Sequence, residues 1–194
     1  MKLVRSKGFY IGILLGAALL SNGCTSIALN GATAFYDRYN LTHQLNNQQL
    51  LFEINANIQD NPAFKGSSIQ ATCFDYQVLL TGTALTQEVR IKAADLAANT
   101  HDVEHVYNFI TVAPKATAGD ILYDAYITAH IKGRIIVGAK MDPDQLKVVT
   151  EKQTVYLMGN LTRKQAKLAV EIARNMKGVK RVVKIFKYVS YSRS

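Results

Sequence analysis

Tryptophan is absent from the sequence, proline occurs three times and cysteine twice. Three prolines and 12 glycines exclude a collagen-like chain or a proline-rich linker array. Two cysteines cannot build a disulfide framework. No apolar run reaches the roughly 18 residues that a spanning helix needs. Charged residues make up only 19%, against 48% hydrophobic, which is too apolar for a disordered chain. At 194 residues the chain holds one ordinary domain or two small ones. Its 23 basic and 14 acidic side chains leave a net +9 that is unevenly spread.

The N-terminus reads as a targeting segment. Lys2, Arg5 and Lys7 form a basic n-region, and Phe9 to Leu20 is a 12-residue apolar core of signal-peptide length. Leu20-Ser21-Asn22-Gly23-Cys24 follows. A small residue directly before a Cys at this point resembles the lipobox of bacterial lipoproteins, although Ser21 stands where Leu is usual. The resemblance implies cleavage before Cys24, acylation of Cys24 with palmitate-type chains, and, with Thr25 rather than Asp next, sorting to the outer membrane. Each buried CH₂ contributes about 0.8 kcal/mol, so more than one acyl chain anchors stably. The alternative is a plain secretory signal with a coincidental Cys. Residues 1–23 are thus the expected signal peptide and 24–44 a lipidated tether with at most local helix, since Asn30, Gly31 and Asn40 within it and Asn46 and Asn47 just after it interrupt any long helical pattern. Acylation of Cys24 would leave Cys73 without a partner in its own chain. It is then a buried free thiol, or an intermolecular disulfide in an oxidising compartment.

The rest of the chain contains an internal repeat. Ile54 and Ile58 precede Val78-Leu79-Leu80-Thr81-Gly82, as Ile127 and Ile131 precede Val155-Tyr156-Leu157-Met158-Gly159. Ala93, Leu96 and Ala97 parallel Ala169, Ile172 and Ala173 at an offset of 76, and Val103 and Val106 parallel Val179 and Val182 at the same offset. Each copy reads alike. A first helix carries apolar residues at i and i+4, with Ile127, Ile131 and Ile135 in the second copy. A strand alternates next (Ile69, Ala71, Cys73; Leu146, Val148, Thr150), and a hairpin turns near Asp75-Tyr76-Gln77 or Glu151-Lys152-Gln153. The second strand ends in Gly82 or Gly159. Thr86 and Thr162 are N-caps for a second helix, with Glu88 and Gln165 in its first turn. A last strand runs through Val103–Tyr107 or Val179–Val183. The fold class is therefore α+β: two tandem α-β-β-α-β units, each with two helices on a three-stranded sheet, expected over residues 45–113 and 120–189. Residues 114–119 form a linker and 190–194 a tail. A unit of some 70 residues is small for a stand-alone core, so the two are expected to pack together.

This pattern resembles the BON domain. Copy two carries Val155-Tyr156-Leu157-Met158-Gly159, an Ala-rich helix from Ala166 to Ala173, and Gly178-Val179-Lys180-Arg181-Val182. Copy one has Asp102 where Gly178 sits, but keeps Val103, Val106 and Asn108. A lipobox followed by two such domains is similar to the dual-BON outer-membrane lipoproteins. That resemblance implies a non-enzymatic protein, lipid-anchored and facing the periplasm, that binds anionic phospholipid through its second BON domain, gathers at division sites and supports outer-membrane integrity. Phosphatidylglycerol or cardiolipin would be the ligand, with no cofactor.

The charge distribution points the same way from the residues alone. Residues 45–113 carry 3 basic and 7 acidic side chains, net −4, and residues 120–194 carry 15 and 6, net +9. A field concentrated on one lobe attracts anionic phosphate. Lipid is favoured over nucleic acid in an envelope lipoprotein, and a merely solvated basic surface is the bland alternative. On the first helix of copy two, Tyr123 and Tyr126 lie near the start, while Lys132 and Arg134 lie off the Ile stripe. Aromatics with a polar tip suit the membrane interface and cations suit phosphates. The family resemblance places an inserting aromatic at Tyr126. The lipid-binding set is Tyr126, Lys132 and Arg134, with Tyr123 and His130 beside them. Ile121 and Leu122 either extend the wedge or pack as linker, and either Tyr has the alternative of packing on the first domain. Arg163, Lys164, Lys167 and Arg174 read as the wet face of the second helix. A scaffold whose basic second domain docks an envelope-assembly or division protein is the competing function.

Enzymatic readings lack support. His101-Asp102-Val103-Glu104-His105 fits H-x-x-E-H, but that chemistry needs a helix and a third ligand, and the repeat puts the segment at a helix-to-strand junction. Asp142-Pro143-Asp144 reads as a turn rather than a calcium loop. No G-x-S-x-G or P-loop occurs. No catalytic residue, metal site or cofactor is expected.

Overall fold

The computed structural model describes residues 31–139 and 141–190. The signal segment, Cys24 and the start of the tether lie outside the described residues. The chain divides into two units, Met1–Leu41 and Thr42–Ser194, and both repeats lie in the second.

The elements in chain order are α1 (Gly31–Asp60), β1 (Ser68–Phe74), β2 (Gln77–Ala84), α2 (Gln87–Ala98), β3 (His105–Asn108), β4 (Thr111–Val112), α3 (Ala118–Ala139), β5 (Leu146–Glu151), β6 (Thr154–Leu161), α4 (Arg163–Arg174) and β7 (Arg181–Tyr188). Short 3₁₀ turns at Pro62–Phe64 and Pro143–Gln145 lead into β1 and β5. Each copy is α-β-β-α-β. The sheets run β1-β2-β3, with β4 also on β2, and β5-β6-β7. In each, a hairpin is antiparallel and the last strand lies parallel to the central one.

The expected interruption of a long helix does not occur, because α1 runs without a break through Asn40, Asn46 and Asn47. Tertiary bonds offset the weak helix propensity of Asn. Asn46 donates to the Tyr76 hydroxyl at 2.9 Å, and Asn47 Oδ1 accepts from the Tyr76 backbone N–H and the Cys73 thiol, each at 3.1 Å. Similarly α3 begins at Ala118, inside the expected linker. Asp120 accepts from the Thr117 N–H at 3.0 Å while the Thr117 hydroxyl accepts from the Asp120 N–H at 3.2 Å, a reciprocal cap. The last strands start at His105 and Arg181, two residues later than expected. Asp102 and Gly178 precede them with φ of +66° and +93°. Asp is among the few non-Gly residues that tolerate this conformation, which explains how copy one dispenses with the glycine.

Both hairpins turn through two residues, since Phe74 pairs with Gln77 and Glu151 with Thr154. Asp75, Tyr76, Lys152 and Gln153 all have positive φ, the geometry that matches strand twist. Both strands run past their glycines, to Ala84 and Leu161. A Cβ on Gly82 would meet the Ser68 carbonyl oxygen, and one on Gly159 the Gln145 carbonyl oxygen. Strand close approach therefore requires glycine at both positions.

Helices cover one face of each sheet. Leu50, Ile54, Ile58, Val78, Leu80, Ala93 and Ala97 form the first core, and Ile127, Ile131, Ile135, Val155, Leu157, Ala169 and Ala173 the second. Each large aliphatic contributes about 1.5–3 kcal/mol by such burial. Alternation sends the remaining strand residues to the other face. There Leu79 from one domain is buried with Tyr156, Met158 and Ile185 from the other, joined by Phe74, Tyr107, Phe109, Val149 and Val183. The sheets thus share a third apolar layer, and the order through the unit is helix, sheet, sheet, helix. Phe109 and Tyr156 meet at 5.0 Å between ring centroids. At the rim Lys187 donates to Asp75 at 3.0 Å and to Glu104 at 3.4 Å, and Asn160 donates to Asp75 at 3.1 Å. Burial opposes the Lys187 charge, but these carboxylates win and hold its pKa above the usual value. Cys73 is a free, buried thiol, and burial followed by the Asp75 charge pushes its pKa up to about 11.

Candidate functional site

The rotation of α3 decides which of its residues reach solvent, and one buried carboxylate sets that rotation. Asp124 accepts from the backbone N–H of Lys152 (2.6 Å) and of Gln153 (2.9 Å), the two residues of the β5–β6 turn. Thr128 adds a 2.7 Å hydroxyl bond to Thr150. Asn47 does the same task for the first hairpin. Asp124-Ile127-Ile131-Ile135 repeats the spacing of Asn47-Leu50-Ile54-Ile58 at an offset of 77, with all six aliphatics buried. Glu151, next to the turn, is half buried, and desolvation with the nearby Asp124 charge raises its pKa.

With that face fixed inward, the opposite face of α3 is apolar and exposed. Leu122 is 71% exposed, Tyr126 51% and Val137 81%. Ala129 and Gly133 complete the series Leu122, Tyr126, Ala129, Gly133, Val137, spaced i, i+4, i+7, i+11, i+15 along one helix side. Tyr126 stands between two rings, 6.2 Å from Tyr123 and 4.3 Å from His130. Tyr123 is less exposed, at 39%. Its hydroxyl lies where a Cβ on Gly178 would sit, so it packs on its own domain's α4–β7 turn. His130, Arg134, Val137 and Gly138 border a shallow trough in which Gly133 leaves open space. Lys132 and Arg134 are exposed. At 3.6 residues per turn they fall on opposite flanks of the apolar stripe.

All five residues of the expected lipid-binding set therefore share the outer side of one helix. Ile121 and Leu122 are exposed rather than packed. Val137 and Gly133 were not anticipated. Their signal is the second apolar period on α3, opposite the Ile stripe. Asp124 was also missed; a carboxylate in line with three isoleucines marks a buried polar device. Arg163, Lys164, Lys167 and Arg174 line the exposed side of α4, with the Arg163 guanidinium 4.8 Å from the Tyr188 ring centroid. Asp142 and Asp144 sit on the short 3₁₀ turn. His101 and His105 flank a left-handed Asp102, and His105 opens β3, so the H-x-x-E-H segment has no helix to carry it. Among the described residues no group of three or more His, Cys, Asp or Glu is placed to hold a metal, and no helix is long and apolar enough to cross a membrane.

Residues 46–114 and 123–190 each match the BON domain. The chain is 31% identical over 184 residues to a Haemophilus influenzae protein named outer membrane lipoprotein DolP, an alignment covering 92% of this chain and 95% of that one. It is 36% identical over 121 residues to a 21 kDa hemolysin of Actinobacillus pleuropneumoniae, covering 62% of each. Among solved structures, CdsD, a structural protein of the type III secretion system of Chlamydia trachomatis, aligns with a TM-score of 0.30 at 18% identity, over 73% of this chain and 63% of that one. With both repeats matched and nearly its whole length aligned to such a relative, the chain belongs to the family of dual-BON-domain outer-membrane lipoproteins.

Proposed function

We propose that this protein binds anionic phospholipid through α3 of its second BON domain while the acylated Cys24 holds it on the periplasmic side of the outer membrane. The observation that carries the reading is the exposed apolar stripe around Tyr126, flanked by Lys132 and Arg134. A helix with a stripe of this kind and flanking cations lies in the interface plane, with the aromatic at headgroup depth and the cations on phosphates. Phosphatidylglycerol and cardiolipin both present that chemistry. No reaction is catalysed. Family membership supports a role in outer-membrane integrity, exercised at division sites, with envelope-assembly or division proteins as partners.

The test is vesicle co-sedimentation of the chain from residue 24 onward carrying Cys24→Ser, which removes the acyl anchor. Sedimentation with phosphatidylglycerol-containing vesicles, none with purely zwitterionic ones, and weakening by Tyr126→Ala are expected. Equal binding to both vesicle types, or to neither, overturns the lipid reading. Binding to neither would leave Cys24 as the membrane contact and favour a scaffold that docks a protein through its basic domain.

A further inference from the structure

The first BON domain carries a second surface, unrelated to α3. β1 is an edge strand: β2 pairs with one side of it, and among the described residues no strand pairs with the other. An open edge presents a row of backbone N–H and C=O groups that template another strand, so proteins blunt such edges with charge, proline or bulges. The other edges of the two sheets are blunted. β5 carries Lys147 and Glu151, β7 carries Arg181, Lys184 and Lys187, and the β3–β4 edge breaks between Asn108 and Thr111. Ser68-Ile69-Gln70-Ala71-Thr72-Cys73-Phe74 has neither charge nor proline.

A groove of about 840 Å³ runs beside this edge, within the size range of ligand sites. The α1 flank, at Asn55 and Gln59, forms one wall, and Ser68–Ala71 of β1 the other. Buried Ile58 and Phe64 line it as well. A groove between an edge strand and a helix is the arrangement in which β-augmentation occurs: main-chain bonds supply affinity, and pockets take alternate side chains. Asp60 and Lys65, both exposed, balance in its lining, while the domain around them is net −4.

We propose that this groove binds an extended peptide segment of neutral or basic character, which adds to the first sheet as a strand beside β1. The backbone edge selects an extended chain, the amide and hydroxyl lining accepts uncharged side chains, and the acidic domain disfavours an acidic peptide. The site is independent of the lipid-facing helix.

The experiment uses the full lipidated chain in zwitterionic nanodiscs. The probe is a peptide of alternating Thr and Val with a Lys at each end, compared with the same peptide carrying two central prolines and with a Glu-ended one. Hydrogen exchange across Ser68–Phe74 should slow on the order of tenfold with the first probe. The proline peptide should have no effect, and the Glu-ended one a smaller effect. Gln70→Pro should abolish the response. Because that variant risks misfolding, Gln59→Trp, which fills the groove from the exposed helix side, should abolish it too, while Tyr126→Ala should leave it unchanged. Protection confined to residues 55–61, equal protection by the proline peptide, or none at saturating probe overturns the proposal. Protection that instead grows with the protein's own concentration assigns the edge to a second copy and also overturns it.

Discussion

Tyr126→Ala and the pair Lys132→Gln with Arg134→Gln separate the two forces proposed to hold α3 on a membrane. Tyr126 is 51% exposed. An aromatic side chain presents about 150–250 Å², so about 100 Å² is free to enter the interface. At about 25 cal/mol per Å² this sets a ceiling of about 2.5 kcal/mol. The hydroxyl stays at headgroup level and Ala keeps one methyl, leaving about 1–1.5 kcal/mol, or about a 5- to 12-fold weaker partition. Each cation near an anionic surface contributes about 1 kcal/mol, so the charge pair should cost about 30-fold at low salt. The charges therefore dominate in dilute buffer. Raising the salt from about 0.1 to 1 M shortens the screening length from about 10 to 3 Å and should erase their effect while the Tyr126 effect persists. Partition isotherms on phosphatidylglycerol vesicles at both salt concentrations measure this. A Tyr126→Ala loss that vanishes with salt, or an unchanged partition for that variant at either salt, refutes interfacial insertion.

Asp124→Ala should destabilise the second domain by about 1.5–3 kcal/mol, because it strips a buried carboxylate acceptor from two turn N–H groups; urea unfolding at neutral pH reads this. Gly82→Ala and Gly159→Ala should each cost about 2–3 kcal/mol, because the new methyl runs into the backbone carbonyl of Ser68 or Gln145 alongside; thermal melts of both variants should fall, and unchanged melting would refute the close approach. Cys73, with its pKa pushed up to about 11, should resist iodoacetamide at neutral pH in the folded chain and react once the chain is unfolded in urea. Rapid labelling of the native protein would contradict the burial.

Much of the fold was legible because it is written twice. The isoleucines of α1 and α3, the Thr86 and Thr162 caps and the two glycines recur at near-constant offsets, and each has a local physical meaning. The Thr162 cap forms in full, with Gln165 accepting from the Thr162 N–H at 2.9 Å and donating its own N–H to the Thr162 hydroxyl at 3.2 Å. The length of α1 was not legible, because the asparagines that weaken the helix locally are held by a hairpin some 30 residues away. The candidate lipid-binding residues were also named from sequence, Lys132 and Arg134 because they lie off the isoleucine stripe and Tyr126 because the family resemblance places an aromatic there. Val137 was missed because attention to the buried period hid the exposed one.

Composition and periodicity by themselves determined the duplication, the α+β class and the basic second half, since these depend only on local spacing and summed charge. Tertiary structure alone decided how the halves meet. Leu79 on β2 and Tyr156 and Met158 on β6 point away from the helices, and sequence cannot say whether that outward face meets solvent, membrane or a partner sheet. Packing of Leu79 against Tyr156, Met158 and Ile185 closes that face, while the outer side of α3 and the β1 edge stay open. Which residues a protein offers depends on which faces its own chain has already covered, and that is a long-range property.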